Sequence, residues 1–180
     1  MLILSPSKEI QLKVIEESDA EVVYTTLKKN KVRLREWLSW IDQVNSLDDF
    51  KKIISKIQEQ SRNGRSFLFE ILYQEKLAGI IDLQYIDYKN KKTSIGYWLA
   101  QELEGKGIVT QAIKTLVNFA FTELLLNRVE LTIAVDNIKS NKAALNAGFV
   151  KEGVLRENEW LYDHFTDQNI YSVLKTEWKK

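Results

Sequence analysis

The sequence predicts an α+β fold in which helices flank a mixed, largely antiparallel central sheet. Two observations predict it. Runs with a two-residue apolar period crowd the middle of the chain between Phe67 and Leu99, separated by gaps of turn length, as in antiparallel neighbours. Helical periodicity brackets them, at Leu47–Arg62 on one side and from Ile108 on the other, and further strand runs follow.

The elements follow in order. Ile10, Leu12 and Val14 alternate with polar residues, as in a half-buried strand. Ser18-Asp19-Ala20-Glu21 reads as a capping box opening a helix through about Asn30. A second helix from Leu47 to Arg62 gathers Phe50, Ile53, Ile54 and Ile57 on one face and ends at Asn63-Gly64. The connection between them is rich in aromatics and holds Trp37 and Trp40. Strands are expected at Phe67–Tyr73, Leu77–Tyr85 and Thr93–Leu99, the first two joined by a turn near Gln74-Glu75-Lys76. From Ile108, the face of Ile113, Leu116, Val117, Ala120 and Phe121 marks a helix. Val129–Val135 is the next strand, and Ser140–Ala147 a short helix stopped by Gly148. Strands near Phe149–Arg156 and Asn169–Leu174 close the chain. One proline and the absence of any repeat or linker-like tract leave no domain boundary, so residues 1–180 read as one domain. A chain of this length buries roughly 70% of its unfolded surface without a metal or disulfide.

Composition excludes several functions. With 26 basic against 25 acidic residues there is no broad positive field for nucleic acid or an anionic membrane. No cysteine means no thiolate metal site and no cysteine acyl-enzyme, and a single His excludes a His-rich metal cluster. The first residues, Met1-Leu2-Ile3-Leu4-Ser5-Pro6, lack the basic flank and apolar length of a signal peptide, and no window reaches a membrane span; the expected compartment is the cytoplasm.

Glu104-Gly105-Lys106-Gly107-Ile108-Val109-Thr110 stands between the strand run ending Tyr97-Trp98-Leu99 and the helix from Ile108. A glycine turn opening a helix aims free backbone N–H groups and the positive end of the helix dipole at one point, which suits a phosphate or pyrophosphate. Ordinary strand-to-helix turns also carry Gly-x-Gly, so the motif needs company. It has company in Asp136-Asn137-Ile138-Lys139-Ser140 at the end of the following strand, and in Asn146-Ala147-Gly148-Phe149 one short helix later.

Together these resemble the GNAT superfamily of N-acetyltransferases. Its Gln/Arg-x-x-Gly-x-Gly/Ala signature falls on Glu104 to Val109, and its Asn-x-x-Ser and Gly-Phe pairs fall on Asn137, Ser140, Gly148 and Phe149. Ile95-Gly96-Tyr97-Trp98-Leu99, Leu126-Asn127-Arg128-Val129 and Arg35-Glu36-Trp37-Leu38-Ser39-Trp40 are similar to the RimJ/RimL type, ribosomal-protein N-terminal acetyltransferases, over nearly the full length. Two positions depart from the pattern. Glu104 and Val109 replace the usual signature ends, and Ser94 stands where many relatives carry a Glu assigned as general base.

The resemblance implies acetyl-CoA at the splay of the central strands, held by Gly105 to Thr110 at the pyrophosphate, with the pantetheine arm against the strand edge at Trp98 and Leu99. Lys106 and Lys139 would screen phosphate charge; as ordinary solvated lysines they would do nothing. Asn137 would meet the pantetheine amides, or serve only as a turn residue; Ser140 would hydrogen-bond the departing thiolate, or serve only as a helix cap. The implied reaction is direct attack of a neutral amine in a ternary complex, without a metal. With Ser94 in place of a Glu, an α-amine suits the site best, or a base acting through water from Asp82 or Glu70, both of which also read as solvent-facing strand residues. Trp37, Trp40, Tyr85 and Trp160 are candidates for an acceptor groove, although aromatics spaced like Trp37 and Trp40 more often fill a core. His164 is expected in a late loop. The partners implied are acetyl-CoA, a protein or peptide N-terminus or a small amine, and a second copy of the chain as a homodimer. A small-molecule acetyltransferase (polyamine, amino sugar or antibiotic) and a non-catalytic CoA-binding module are the rival readings.

Overall fold

The computed structural model describes residues 2–178. Its strands β1 (Ile3–Leu4), β2 (Ile10–Val14), β3 (Phe67–Tyr73), β4 (Lys76–Asp87), β5 (Lys92–Leu99), β6 (Arg128–Ala134), β7 (Val150–Leu161) and β8 (His164–Leu174) form one sheet in the order β1-β2-β3-β4-β5-β6-β8-β7. Helices α1 (Ala20–Lys29), α2 (Lys31–Leu34) and α3 (Leu47–Arg62) precede β3; α4 (Ile108–Thr122) links β5 to β6, and α5 (Ile138–Asn146) links β6 to β7. Every neighbouring pair is antiparallel except β5–β6, which is parallel because the α4 crossover returns the chain in the same direction.

The alternation along the strands builds two cores, one on each face. Ile81, Leu83, Ile95 and Leu99 project to the α4 side and meet Ala112, Ile113, Leu116, Val117 and Ala120, all fully buried. Leu68, Ile80 and Trp98 project to the other side and meet Val23 and Leu27 of α1 and Phe50 and Ile54 of α3. The β3–β4 hairpin closes on Gln74 and Glu75 with φ of 50° and 63°, the primed turn whose twist matches the strands.

The helix from Leu47 to Arg62 forms as the periodicity predicts, with Ser46 accepting from the Asp49 amide at 3.1 Å. The capping box, however, sits two residues early. Asp19 accepts from the Glu16 amide at 2.9 Å, because Ser18 lies inside a 3-10 turn over Glu17–Asp19 that leads into α1. Residues 35–40 are turns rather than helix, so Trp37 and Trp40 do not share a helical face. Strand β7 runs to Leu161 and β8 starts at His164, a longer hairpin than its apolar residues suggested, since β7 is an edge strand with mostly polar, exposed positions. Strand β1 and helix α2 are too short to carry a period.

Candidate active site

The β5–β6 ladder has only three residue pairs, Lys92 with Arg128, Thr93 with Val129 and Ser94 with Glu130. Beyond Ser94 the two strands part, and β5 runs on through Trp98 and Leu99 with its β6-side edge free. At the end of β5 the chain makes a 3-10 turn over Gln101–Leu103 and enters the glycine turn, where Gly105 and Gly107 have φ of 74° and 75°. Those angles belong to the left-handed region, which explains the two glycines. Gly107 is the N-cap of α4 and has no side chain to satisfy the first amides of the helix. A Cβ built at either glycine would touch nothing within 4 Å, so the space above the turn is open.

A cleft of about 620 Å³ fills the gap. Its floor is Tyr97, Trp98 and Leu99, its phosphate-sized end is Glu104, Gly105, Gly107, Ile108, Val109 and Thr110, and one wall is Asn137, Lys139 and Ser140. Arg33, Leu34, Trp37 and Leu38 form the opposite wall. The uncapped start of α4 fits an anion, and the apolar floor with a free strand edge fits an extended arm that carries amides.

Asn137 is the N-cap of α5, its side-chain oxygen accepting from the Ser140 amide at 3.1 Å. The cap role that the sequence offered to Ser140 therefore belongs to Asn137, and the Ser140 hydroxyl has no protein partner among the described residues. Tyr97 reaches across the splay and donates to the Ser140 carbonyl at 3.4 Å; burial pushes its phenol up to about 12, so it stays protonated. Behind them Asn141 fixes the start of α5. Its amide donates to the carbonyls of Ala134 and Asn137 at 2.9 and 2.8 Å, and its oxygen accepts from Tyr171 and Asn169, both at 2.7 Å. This buried network sets where Ser140 stands relative to the floor.

Residues 9–150 match the profile of the acetyltransferase (GNAT) domain. The chain belongs to the GNAT acetyltransferase family. It is similar to the putative ribosomal N-acetyltransferase YdaF of Bacillus subtilis (strain 168), 36% identical over 96% of this chain and 95% of that one. Among solved structures, the microcin C7 self immunity acetyltransferase MccE, in complex with acetyl-CoA and AMP, superposes with a TM-score of 0.89 at 35% identity over 94% of each chain. RimL, a ribosomal L7/L12 alpha-N-protein acetyltransferase in complex with coenzyme A, superposes at 0.93 and 27% identity over 96% of this chain and 98% of that one. The mixed eight-stranded sheet flanked by helices is thus the GNAT fold.

Within that GNAT frame, the cleft gathers all the cofactor candidates except the Lys106 side chain, whose ammonium lies 5.5 Å from the centre of the Tyr73 ring, away from the cleft. Of the four acceptor candidates only Trp37 lines the cleft. Trp40 is partly exposed outside it, Tyr85 is 84% exposed on a β4 bulge, and Trp160 packs edge-on against Phe165 near the β7–β8 turn. Trp37 also lines a second cavity of about 930 Å³, with Tyr162 and Phe165 as apolar surfaces and Glu36, Asp136 and Asp167 as acidic ones. The 35–42 loop is held over it by Tyr162, which donates to the Leu38 carbonyl at 2.6 Å, while the Arg35 guanidinium stacks 3.8 Å from the Tyr162 ring centre. Tyr97 was not singled out from the sequence, although its alternation with Ile95 and Leu99 was the signal that placed it on the α4 face. Arg33 gave no such signal, because its neighbour in the cleft is 71 residues away, at Glu104.

The carboxylates separate clearly. Glu70 pairs with Lys13 at 3.0 Å, with Asp19 on the other side of the lysine at 2.8 Å, and lines neither cavity. Glu159, half-buried, accepts from Ser39 at 2.8 Å and from Gln168 at 2.5 Å, next to the cleft residue Leu38. His164 opens β8 and pairs with the exposed Asp163 at 2.7 Å. Asp82 faces Gly96 across β4–β5, accepting from its amide at 2.9 Å and from Gln84 at 2.8 Å. Burial raises the Asp82 carboxyl from 3.8 to about 6 despite those bonds, so it is not the solvent-facing residue its strand pattern suggested. The folded chain holds this proton more tightly than the unfolded chain. Asp82 therefore weakens the fold increasingly as pH rises from about 4 to about 6, and fully above that. Asp82→Asn should gain up to about 3 kcal/mol over wild type near neutral pH and almost nothing near pH 4, measured by urea unfolding. An equal gain at both would assign the effect to packing.

Proposed function

We propose that this chain transfers acetyl from acetyl-CoA to a primary amine, and that the amine is the α-amine of a protein or peptide N-terminus. The observation that carries this reading is that Trp37 lines two cavities. One is the splay cleft under the α4 start, and the other opens between the 35–42 loop and the β7–β8 turn. Two substrates can then approach Trp37 from separate sides, as a direct transfer in a ternary complex requires.

Acetyl-CoA supplies an acyl thioester at this site. The chain's own groups do the rest. Gly105 to Thr110 receive the pyrophosphate on backbone amides, the free edge at Trp98 and Leu99 receives the arm, and the unused amide of Asn137 meets its polar groups. The nitrogen–carbon bond forms as the carbon–sulfur bond breaks; the proton leaves the amine to water, and the Ser140 hydroxyl stabilises the thiolate as it departs. Water is the acceptor of that proton, since Asp82, Glu70 and Glu159 line neither cavity.

The α-amine follows from the missing Glu at Ser94. Its pKa near 8 leaves about a tenth neutral at pH 7, against well under a hundredth for a lysine side chain. The likeness to a ribosomal L7/L12 alpha-N-protein acetyltransferase supports it. Peptide N-termini, lysine peptides and polyamines, compared at equal concentration, should rank in that order, with the peptide rate rising with pH and levelling near about 8. Faster transfer to lysine or polyamine overturns the assignment. A small-molecule amine is the second reading, favoured by the likeness to the microcin C7 self immunity acetyltransferase.

A further inference from the structure

Among the described residues Glu104 is the one carboxylate that lines the splay cleft, and it is paired twice. Its side chain, 16% exposed, contacts the Arg33 guanidinium on α2 and accepts from the Lys139 ammonium on α5 at 2.7 Å. All three side chains line the cleft at the end where the α4 amides are free. A single carboxylate therefore ties three separate segments together across the place that suits a polyanion.

We propose that Glu104 is a stand-in anion: it holds Lys139 in the cleft and releases it to the phosphates of CoA when they arrive, while its pair with Arg33 stays. This rests on the cofactor reading of the preceding section. The two pairs differ in the way the exchange needs. Lys139 is 76% exposed, on a flexible stem with a compact, strongly hydrated charge, so leaving Glu104 costs it little. Arg33 is 24% exposed, and its planar guanidinium is suited to holding a carboxylate. Phosphates entering beside Glu104 feel its negative charge, and moving Lys139 onto them relieves that repulsion.

The exchange has a functional sense. A cleft that greets CoA with cations already paired binds it less tightly than bare cations would, and the rebinding of Lys139 to Glu104 helps the product leave. Because release of product sets the turnover of many enzymes, Glu104 trades affinity for departure. It acts through Lys139 and is a positioning residue.

The test is a double-mutant cycle on CoA affinity with Glu104→Gln, Lys139→Gln and the pair, each also titrated with pantetheine, which lacks the phosphates. Glu104→Gln keeps a hydrogen-bonding side chain for Arg33. It should bind CoA about three to tenfold more tightly at low salt, with a steeper salt dependence, and bind pantetheine within about twofold of wild type. Lys139→Gln should cost about twofold in the wild-type background and about five to tenfold in the Glu104→Gln background. Equal costs in both backgrounds, with CoA still bound, overturn the exchange and leave the cofactor site intact. Weaker binding of CoA and pantetheine alike in Glu104→Gln overturns it too, by making Glu104 a brace. Failure of wild type to bind CoA at all would instead remove the cofactor reading beneath it.

Discussion

Gly107→Asp is expected to lower CoA affinity at least about a hundredfold while leaving the fold in place. The position requires a left-handed φ of 75°, which an aspartate adopts at a cost of about 1 kcal/mol, and an added Cβ meets no atom within 4 Å. The new carboxylate would stand at the uncapped start of α4, where it is attracted by the helix dipole and so offsets part of that cost. The same carboxylate would then occupy the field that the pyrophosphate needs and repel it. Calorimetric titration with CoA, beside thermal unfolding, measures both halves. Unchanged CoA affinity in a folded variant would remove the glycine turn as the phosphate site.

Ser140→Ala is expected to lower kcat about ten to a hundredfold with acetyl-CoA affinity within about twofold of wild type. Ser140 is in the first turn of α5, but Asn137 caps that helix, so alanine there costs little stability and removes only the hydroxyl. A group that matters when negative charge builds on sulfur shows itself in kcat rather than in ground-state binding. Tyr97→Phe is the companion. It removes a 3.4 Å bond to the Ser140 carbonyl, and an effect of a few fold is expected, since Tyr97 positions the turn that carries the hydroxyl. A larger loss from Tyr97→Phe than from Ser140→Ala would transfer the donor role to the phenol.

The parts of the fold written in local periods were legible. Phe67–Tyr73 and the run into Leu99 read as strands and the Ile113, Leu116, Val117, Ala120 face as one side of a helix, and the structure buries Phe69, Ile71, Ile95 and Leu99 with that face and Leu68 and Trp98 on the opposite one. The glycine turn was legible because left-handed φ leaves few other residues as choices. The aromatics were not. Tyr85 sits on a bulge that reverses the alternation of β4, and Trp160 belongs to an extension of β7 whose polar residues carry no period. Asp82 read as a surface residue because nothing local says that Gln84 and the Gly96 amide close around it. Glu104 read as a weakened signature end, whereas its partners Arg33 and Lys139 lie 71 and 35 residues away and are joined only by folding.

The short β5–β6 ladder has one more consequence. A free strand edge with apolar side chains is ordinarily a hazard, since its unpaired backbone groups recruit the strands of other molecules. Here that edge lies in the middle of the sheet, with β6 and α5 on one side and α2 and the 35–42 loop above it. Those walls cover the edge against the strand of a second chain, while a cleft of about 620 Å³ leaves room for a slender, flexible molecule. The backbone at the centre of the sheet is thus left open to a thin substrate and screened from aggregation.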